Sequence, residues 1–230
     1  MKTTNHQNRI LIVVATTLEM APLLSAYGNQ KYLQPGEIVS LPDADLLITG
    51  PGIAATVYHT TLAIHNNRYT LLINAGVAGS YNPVLTPGTV CLVRRDRFAD
   101  LGAESPEGFI PGEQFAFTLL DHNPYSNGWL EPEIPEEHIF TELPHANAIT
   151  SDTVHTLPDS ILKLVSLWNP DLESMEGAAF FYTCMKAGVP CAQVRSVSNS
   201  VGPRDNDKWH LTAAVATLNR FLDKLISKNE

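Results

Sequence analysis

Two stretches of this chain carry ionisable and hydrogen-bonding side chains where an α/β sheet would present them to a ligand. Residues 172–181, Leu-Glu-Ser-Met-Glu-Gly-Ala-Ala-Phe-Phe, read as the start of a helix with two carboxylates, Glu173 and Glu176, and a Gly177 that admits a close neighbour. Residues 192–199, Ala-Gln-Val-Arg-Ser-Val-Ser-Asn, read as a buried apolar strand that ends on Ser198 and Asn199. Carboxylates accept protons or hydrogen bonds, and an amide both donates and accepts. Ligands of such sheets bind at the carboxyl ends of the strands, so polar groups placed there point to a site. A third carboxylate, Glu19, lies just past an apolar run in Ala15-Thr-Thr-Leu-Glu-Met-Ala21. By spacing alone it reads more often as a first-turn carboxylate that complements the helix dipole than as a general base.

The elements that must position these groups alternate between strand and helix. Arg9–Thr16 is a continuous apolar run of strand length, as expected for a strand buried on both faces, and Glu19–Ala26 follows as a short helix. Strand Asp45–Thr49, the punctuation Gly50-Pro51-Gly52 and helix Ile53–His65 come next. Then follow strand Thr70–Asn74, a Gly-rich turn over Ala75–Gly79, and strand Thr89–Arg94 after Pro87-Gly88. Residues 96–145 break the rhythm, with Pro, Gly, Glu and the aromatics Phe98, Phe109, Phe115, Phe117, Tyr125 and Trp129. A stretch this long without periodicity reads as a lid or a subunit contact. Strand Ala146–Thr150, helices 161–167 and 175–187, strand 192–198 and a last helix from about Asp207 to Ile226 complete the chain. The pattern predicts a mixed, largely parallel twisted sheet flanked by helices in three layers. Residues 1–8 read as a polar tail, and 9–230 as one catalytic domain with a long insertion at about 96–145.

Composition narrows the partners. With 230 residues and 44% hydrophobic composition, one large α/β core is within reach. A net charge of -9 disfavours nucleic-acid polymers and anionic membranes, and a small, weakly charged ligand fits better. Cys91, Cys184 and Cys191 lie in apolar patterns without zinc-like spacing, and no HExxH occurs, so buried thiols and no metal are expected. The run Ile10–Ala15 is too short for a signal or a span, which implies a cytoplasmic protein.

Gly50-Pro51-Gly52, Asn74-Ala-Gly-Val-Ala-Gly79, Ser174-Met-Glu-Gly-Ala-Ala179 and Arg195-Ser-Val-Ser-Asn199, in this order, resemble the nucleoside phosphorylase/nucleosidase superfamily over nearly the whole chain. Within it the resemblance is to nucleosidases related to the methylthioadenosine/S-adenosylhomocysteine enzymes, in particular those acting on futalosine. It implies cleavage of a ribosyl N-glycosidic bond, which builds positive charge on the sugar and negative charge on the departing base. Glu19 then corresponds to the residue that deprotonates the attacking water. Glu176 corresponds to the glutamate under the ribose, whose two oxygens suit a vicinal diol, and Glu173 is its local decoy. Met175 would face the sugar with its backbone N–H and soft side chain. Gly50 and Gly52 would let backbone N–H groups approach a water or sugar oxygen, besides making a turn. Ala78 and Gly79 fall in the substrate-binding Gly-rich segment. Thr153, Val154 and His155 occupy the base-contacting segment, with Val154 where relatives carry a stacking Phe. A lone His such as His155 is more often structural. Asp205, Asp207 and Trp209 could close over the site or simply begin the last helix.

Resembling bacterial phosphorylases carry an Arg at the end of the strand Leu71–Asn74 and a Ser in the following turn, to hold phosphate. This chain has Asn74 and Val77, and no other Arg falls at that strand end, which favours water as the nucleophile. Arg94, Arg95 and Arg97 read as a solvated loop or a subunit contact, with a phosphate role still open. Adenine-cleaving relatives carry Asp at the position of Asn199. An amide can donate to O6 of a 6-oxopurine and accept from N7–H, so hypoxanthine suits it better than adenine, with Ser198 orienting it. The resemblance thus implies hydrolysis of futalosine with release of hypoxanthine, no cofactor, no metal, and a homodimer or higher homo-oligomer. An adenosyl-type nucleosidase, a 6-oxopurine nucleoside phosphorylase and a non-catalytic nucleoside sensor on the same fold stay open as alternatives.

Overall fold

The computed structural model describes residues 9–114, 120, 122–202 and 210–227. In chain order these form β1 (Arg9–Val14), α1 (Thr17–Ala26), β2 (Ile38–Ser40), β3 (Ala44–Ile48), α2 (Ile53–Asn66), β4 (Tyr69–Ser80), β5 (Val90–Phe98), β6 (Gly102–Ser105) and β7 (Gly108–Pro111). There follow β8 (Tyr125–Ser126), β9 (Trp129–Leu130), α3 (His138–Thr141), β10 (His145–Thr150), α4 (Pro158–Trp168), β11 (Leu172–Ser174), α5 (Gly177–Ala187), β12 (Cys191–Ser200) and α6 (Leu211–Ser227). The polar tail 1–8, Phe115, Phe117 and the candidates Asp205, Asp207 and Trp209 lie outside the described residues.

The sheet runs β2-β3-β1-β4-β11-β10-β5-β9-β8, with β12 pairing both β4 and β5. Because β12 bridges two strands that β11 and β10 also connect, the strands β4, β12, β5, β10 and β11 close on themselves, and β1, β3 and β2 extend the sheet on one side. The β1, β3, β10 and β12 pairings that build its centre are parallel, apart from β12 with β5. The core divides by the period of two expected of strands. From β1, Ile12 and Val14 join Met20, Leu23 and Leu24 of α1 and Leu218 and Leu222 of α6, whereas Leu11 and Val13 join Phe180, Phe181 and Cys184 of α5 on the other face. The result is the three-layer α/β arrangement, and β1 is buried on both faces as its unbroken apolar run predicts.

The expected Gly-rich turn over Ala75–Gly79 is instead the middle of the twelve-residue strand β4. Gly76 and Gly79 are absent from the positions with positive φ, so no turn requires them. They are small because side chains lie on them: a Cβ at Gly76 would fall onto Nη1 of Arg195 and lie 3.1 Å from Oε1 of Glu19, and one at Gly79 would lie 2.8 Å from Val201. The helix expected over 175–187 begins only at Gly177, after the short strand β11, so Glu173 lies on a strand and Glu176 is the N-cap of α5. Residues 96–145 also differ from expectation. The first of them extend β5, and Arg94, Arg95 and Arg97 stand on that strand rather than on a loop. Arg97 is buried, pairs with Glu113 at 2.8 Å and stacks 3.4 Å from the Trp168 ring centroid. Phe109 of the β6–β7 hairpin packs edge-on to the same Trp168. Burial against Trp168 thus accounts for an Arg read as part of a solvated loop or subunit contact and for an aromatic read as part of a lid or subunit contact. Cys91, Cys184 and Cys191 are free and buried. Among the described residues, no helix is long and apolar enough to cross a membrane.

Candidate active site

Strand β4 has two different neighbours along one edge, and the site lies where they part. Its first half, Tyr69–Asn74, pairs with parallel β1, and its end, Gly79 and Ser80, pairs with antiparallel β11. Between them neither strand covers Ala75–Ala78. Such a divergence of neighbouring strands is where an α/β sheet opens a crevice. A cavity of about 330 Å³ occupies this opening. Among the expected site residues, Glu19, Ala78, Gly79, Val154, Met175, Glu176, Ser198 and Asn199 line it, although the first and last lie 180 positions apart in sequence. Thr153 is exposed and does not line it. Gly50 and Gly52 do not line it either, and their N–H groups are engaged: Gly50 donates to the Ala15 carbonyl at 2.9 Å, and Gly52 to Oε1 of Glu176 at 3.2 Å. The loop's role is therefore to hold Glu176 rather than to meet a water. No described residue of 96–145 lines the cavity.

Glu19 serves the helix and the cavity together. Its Oε2 accepts from the backbone N–H of Thr16 at 3.0 Å and from the Thr16 hydroxyl at 2.9 Å, the reach-back arm of a capping box. Its Oε1 crosses to β4 and accepts the Val77 N–H at 3.1 Å, the donor that the parting of β1 and β11 leaves uncovered. A carboxylate offers about four lone-pair sites, and these three bonds leave room for one more donor from the cavity side. The side chain of Asn219 fixes the helix that carries it. Pro22 sits inside α1, and the Asn219 amide replaces the bond that would join Leu23 N–H to the Glu19 carbonyl: Oδ1 accepts from Leu23 at 2.9 Å and Nδ2 donates to the Glu19 carbonyl at 2.7 Å. Burial, then the charge of Glu176, raise the Glu19 pKa, against the hydrogen bonds from Val77 and Thr16 and the charge of Arg195. A base works only when ionised, so activity should fall on acidification at a pH above the ordinary carboxylate range. The kcat/KM profile measures this. An acid limb at or below the ordinary glutamate value would remove Glu19 as its source.

Glu176 is buried at the start of α5, with Oε1 on the Gly52 N–H and Oε2 3.7 Å from Nη1 of Arg195. Arg195, 1% exposed, is the residue that sequence reasoning missed: it appeared only within a motif, because an Arg in an apolar strand has no local signature. Its Nη2 donates to Oδ1 of Asn74 and its Nε to Oε1 of Gln193 at 3.0 Å. Gln193 in turn donates to Oδ2 of Asp96 at 3.0 Å, and Oδ1 of Asp96 accepts from Thr150 at 3.0 Å. The Thr150 hydroxyl accepts the Ala178 N–H in the first turn of α5 at 2.8 Å, closing the chain of bonds on the helix that carries Glu176. Burial pushes the Asp96 carboxyl up to about 6 despite these donors. Gly177 is small because a Cβ there would fall onto Asp96 and Gln193, so the room beside Glu176 holds this network rather than a ligand. An Arg does reach Asn74, at the end of the first half of β4, contrary to expectation, but from the neighbouring strand β12 and with its donors turned to Asn74, Gln193 and Glu176.

Ser198 and Asn199 close the opposite side. Oδ1 of Asn199 accepts from the Ser198 hydroxyl at 2.7 Å, and Nδ2 donates to the Ser200 carbonyl at 2.9 Å, which among the described residues leaves one N–H and one lone pair of the amide unused. The register of β12 on β4 shifts between Val197 and Asn199, and this bulge turns both side chains toward the cavity.

The chain matches the Phosphorylase superfamily over residues 9–227. It is 29% identical to a futalosine hydrolase of Streptomyces coelicolor over 94% of each chain, and 33% identical to one of Thermus thermophilus over 66% of this chain and 68% of that protein. A 5′-methylthioadenosine/S-adenosylhomocysteine nucleosidase from Helicobacter pylori, solved with butyl-thio-DADMe-Immucillin-A, shares the fold with a TM-score of 0.72, at 19% identity over 96% of this chain and 98% of that one. A strand that parts from two neighbours, a cavity at the parting, and carboxylates and an amide gathered there agree with these likenesses: the chain belongs to the phosphorylase superfamily, in the group of nucleosidases that contains the futalosine hydrolases.

Proposed function

We propose that this chain hydrolyses the N-glycosidic bond of futalosine, a hypoxanthine nucleoside with a modified 5′ end, within menaquinone biosynthesis. The observation that carries the reading is the oriented amide of Asn199 in one cavity with two carboxylates, Glu19 and Glu176. Glu19 takes a proton from a water whose oxygen bonds to C1′, the C1′–N9 electron pair passes to the base, and Glu176 lies under the ribose hydroxyls. The base leaves neutral after taking a proton at N7 from solvent water, and Glu19 returns its own proton to solvent, so that the net reaction consumes one water. The amide N–H of Asn199 meets O6, and its carbonyl meets N7–H. The names of the Streptomyces and Thermus relatives support futalosine as the nucleoside.

The test is purified protein with futalosine, inosine and methylthioadenosine, followed by chromatography of free base with and without phosphate. Hypoxanthine from futalosine at a rate independent of phosphate is expected. A ribose-1-phosphate-type product with a phosphate-dependent rate would make the chain a phosphorylase, and nucleoside binding without turnover would make it a sensor. Among the described residues, Arg195 is a cation beside the site that would favour phosphate, and its existing partners oppose that use.

Asn199→Asp tests the base preference. An ionised carboxylate sets two acceptors against O6, and protonating it to recover a donor has a pKa cost. The rate on futalosine should fall and the hypoxanthine-to-adenine rate ratio should drop. An unchanged ratio in the folded variant would show that Asn199 does not read the base.

A further inference from the structure

Glu173, the carboxylate on β11 three residues before Glu176, is not idle. Its Oε1 accepts the backbone N–H of His155 at 3.1 Å, and its Oε2 accepts from the Tyr81 hydroxyl at 2.7 Å and lies 2.6 Å from Nδ1 of His155. The imidazole is thereby fixed at a cavity wall, with Nδ1 committed to Glu173 and Nε2, on the far side of the ring, without a partner among the described residues. The register shows what lies across from it. Glu173 pairs with Gly79 on one side of β4 and Asn199 pairs with the same Gly79 on the other. Paired residues of adjacent strands share a face, so the two side chains rise from one floor about 10 Å apart, two strand spacings, over a residue that has no side chain. The Val201 side chain, which lies on Gly79, lines the cavity between them, so a planar bicyclic base resting on Val201 has Asn199 at one edge and His155 at the other.

We propose that His155, held by Glu173, is a second base-contacting residue: as an imidazolium it donates a hydrogen bond through Nε2 to the edge of the purine remote from Asn199, and so meets the negative charge that develops as the base departs. No proton changes owner in this contact. The assignment rests on the reading of the cavity as a purine nucleoside site and adds a donor that meets the charge developing on the leaving base. Glu173 supplies the positive form, since its hydrogen bond raises the His155 pKa against burial, with the Glu173 charge and that of Asp100 acting in the same direction. The Tyr81 hydroxyl bonds the same Glu173 oxygen. The donor is therefore present below this raised pKa and lost as pH rises through it.

The experiment compares wild type with His155→Gln and Glu173→Gln in two readouts, kcat/KM on futalosine and the affinity for free hypoxanthine, each from pH 6 to 9. Wild type should lose both rate and affinity on the alkaline side. His155→Gln should show a rate about 10–100-fold lower at neutral pH, the order expected of one lost charge-assisted hydrogen bond, and no alkaline limb in either readout. Glu173→Gln should move that limb to lower pH. Normal rate, affinity and pH profile in folded His155→Gln would overturn the inference while leaving the nucleosidase reading intact. If futalosine is not cleaved by wild type, the reading fails, and the hypoxanthine titration still decides whether His155 meets the base. A uniform loss in His155→Gln with the limb retained would return the dyad to a structural role.

Discussion

Glu19→Gln is expected to lower kcat on futalosine about 10²–10⁴-fold, the contribution of a positioned general base, with the fold retained. The amide keeps the shape and one acceptor, so either the Val77 N–H or the Thr16 pair stays bonded, while the NH₂ group turns a donor toward a donor at the other. The capping arm lost in that way is worth about 1 kcal/mol. The substitution also removes one of two carboxylates that repel each other across the cavity, and this offsets part of the cost. Melting temperature and single-turnover rate separate the two effects. A folded Glu19→Gln protein with near-normal turnover would leave Glu19 as a capping residue only.

Glu176→Gln should lower kcat about 10²–10³-fold, the scale for removing one preorganised group that stabilises transition-state charge, with a smaller effect on substrate binding. Its carboxylate is aimed by the Gly52 N–H and by α5, whose first turn is tied through Thr150, Asp96 and Gln193 to Arg195. Taking one partner from a buried ion pair costs up to ~3–5 kcal/mol. Here the loss should be smaller, because Arg195 keeps Asn74 and Gln193 and the Gln carbonyl can still face it. A melting temperature lowered by several degrees with a proportionally larger loss of rate is the expected pair of results. Loss of rate only in step with loss of folded protein would assign Glu176 to the Arg195 ion pair alone.

Much of this site is legible in one dimension because strand ends and helix starts recur at fixed places in an alternating α/β chain. The apolar run of β1 places Glu19 just past a strand, and Ser198 and Asn199 end another for the same reason. The glycines are where local reading failed. Gly76 and Gly79 look like a turn because turns are the commonest use of glycine, but here each makes room for side chains that come from residues 19, 195 and 201. Gly50 and Gly52 do adopt the positive φ that favours glycine, yet the freed N–H of Gly52 orients Glu176 instead of a ligand. The aromatics of 96–145 suggested a lid or a subunit contact and Arg97 a solvated loop or subunit contact, whereas Phe109 and Arg97 both pack on Trp168.

What the sequence by itself determined is the layered α/β architecture and the carboxylates and amide, Asn199 among them, at strand and helix ends. These follow from short-range rules, periodicity and the chemistry of single side chains. Only the tertiary structure decided that β4 parts from β1 and β11 at Val77, that Arg195 lies buried between Asn74 and Glu176, and that Glu173 grips His155 opposite Asn199. Each of these depends on which strands become neighbours and in what register, a choice made by the packing of the whole core and written in no single segment of the chain.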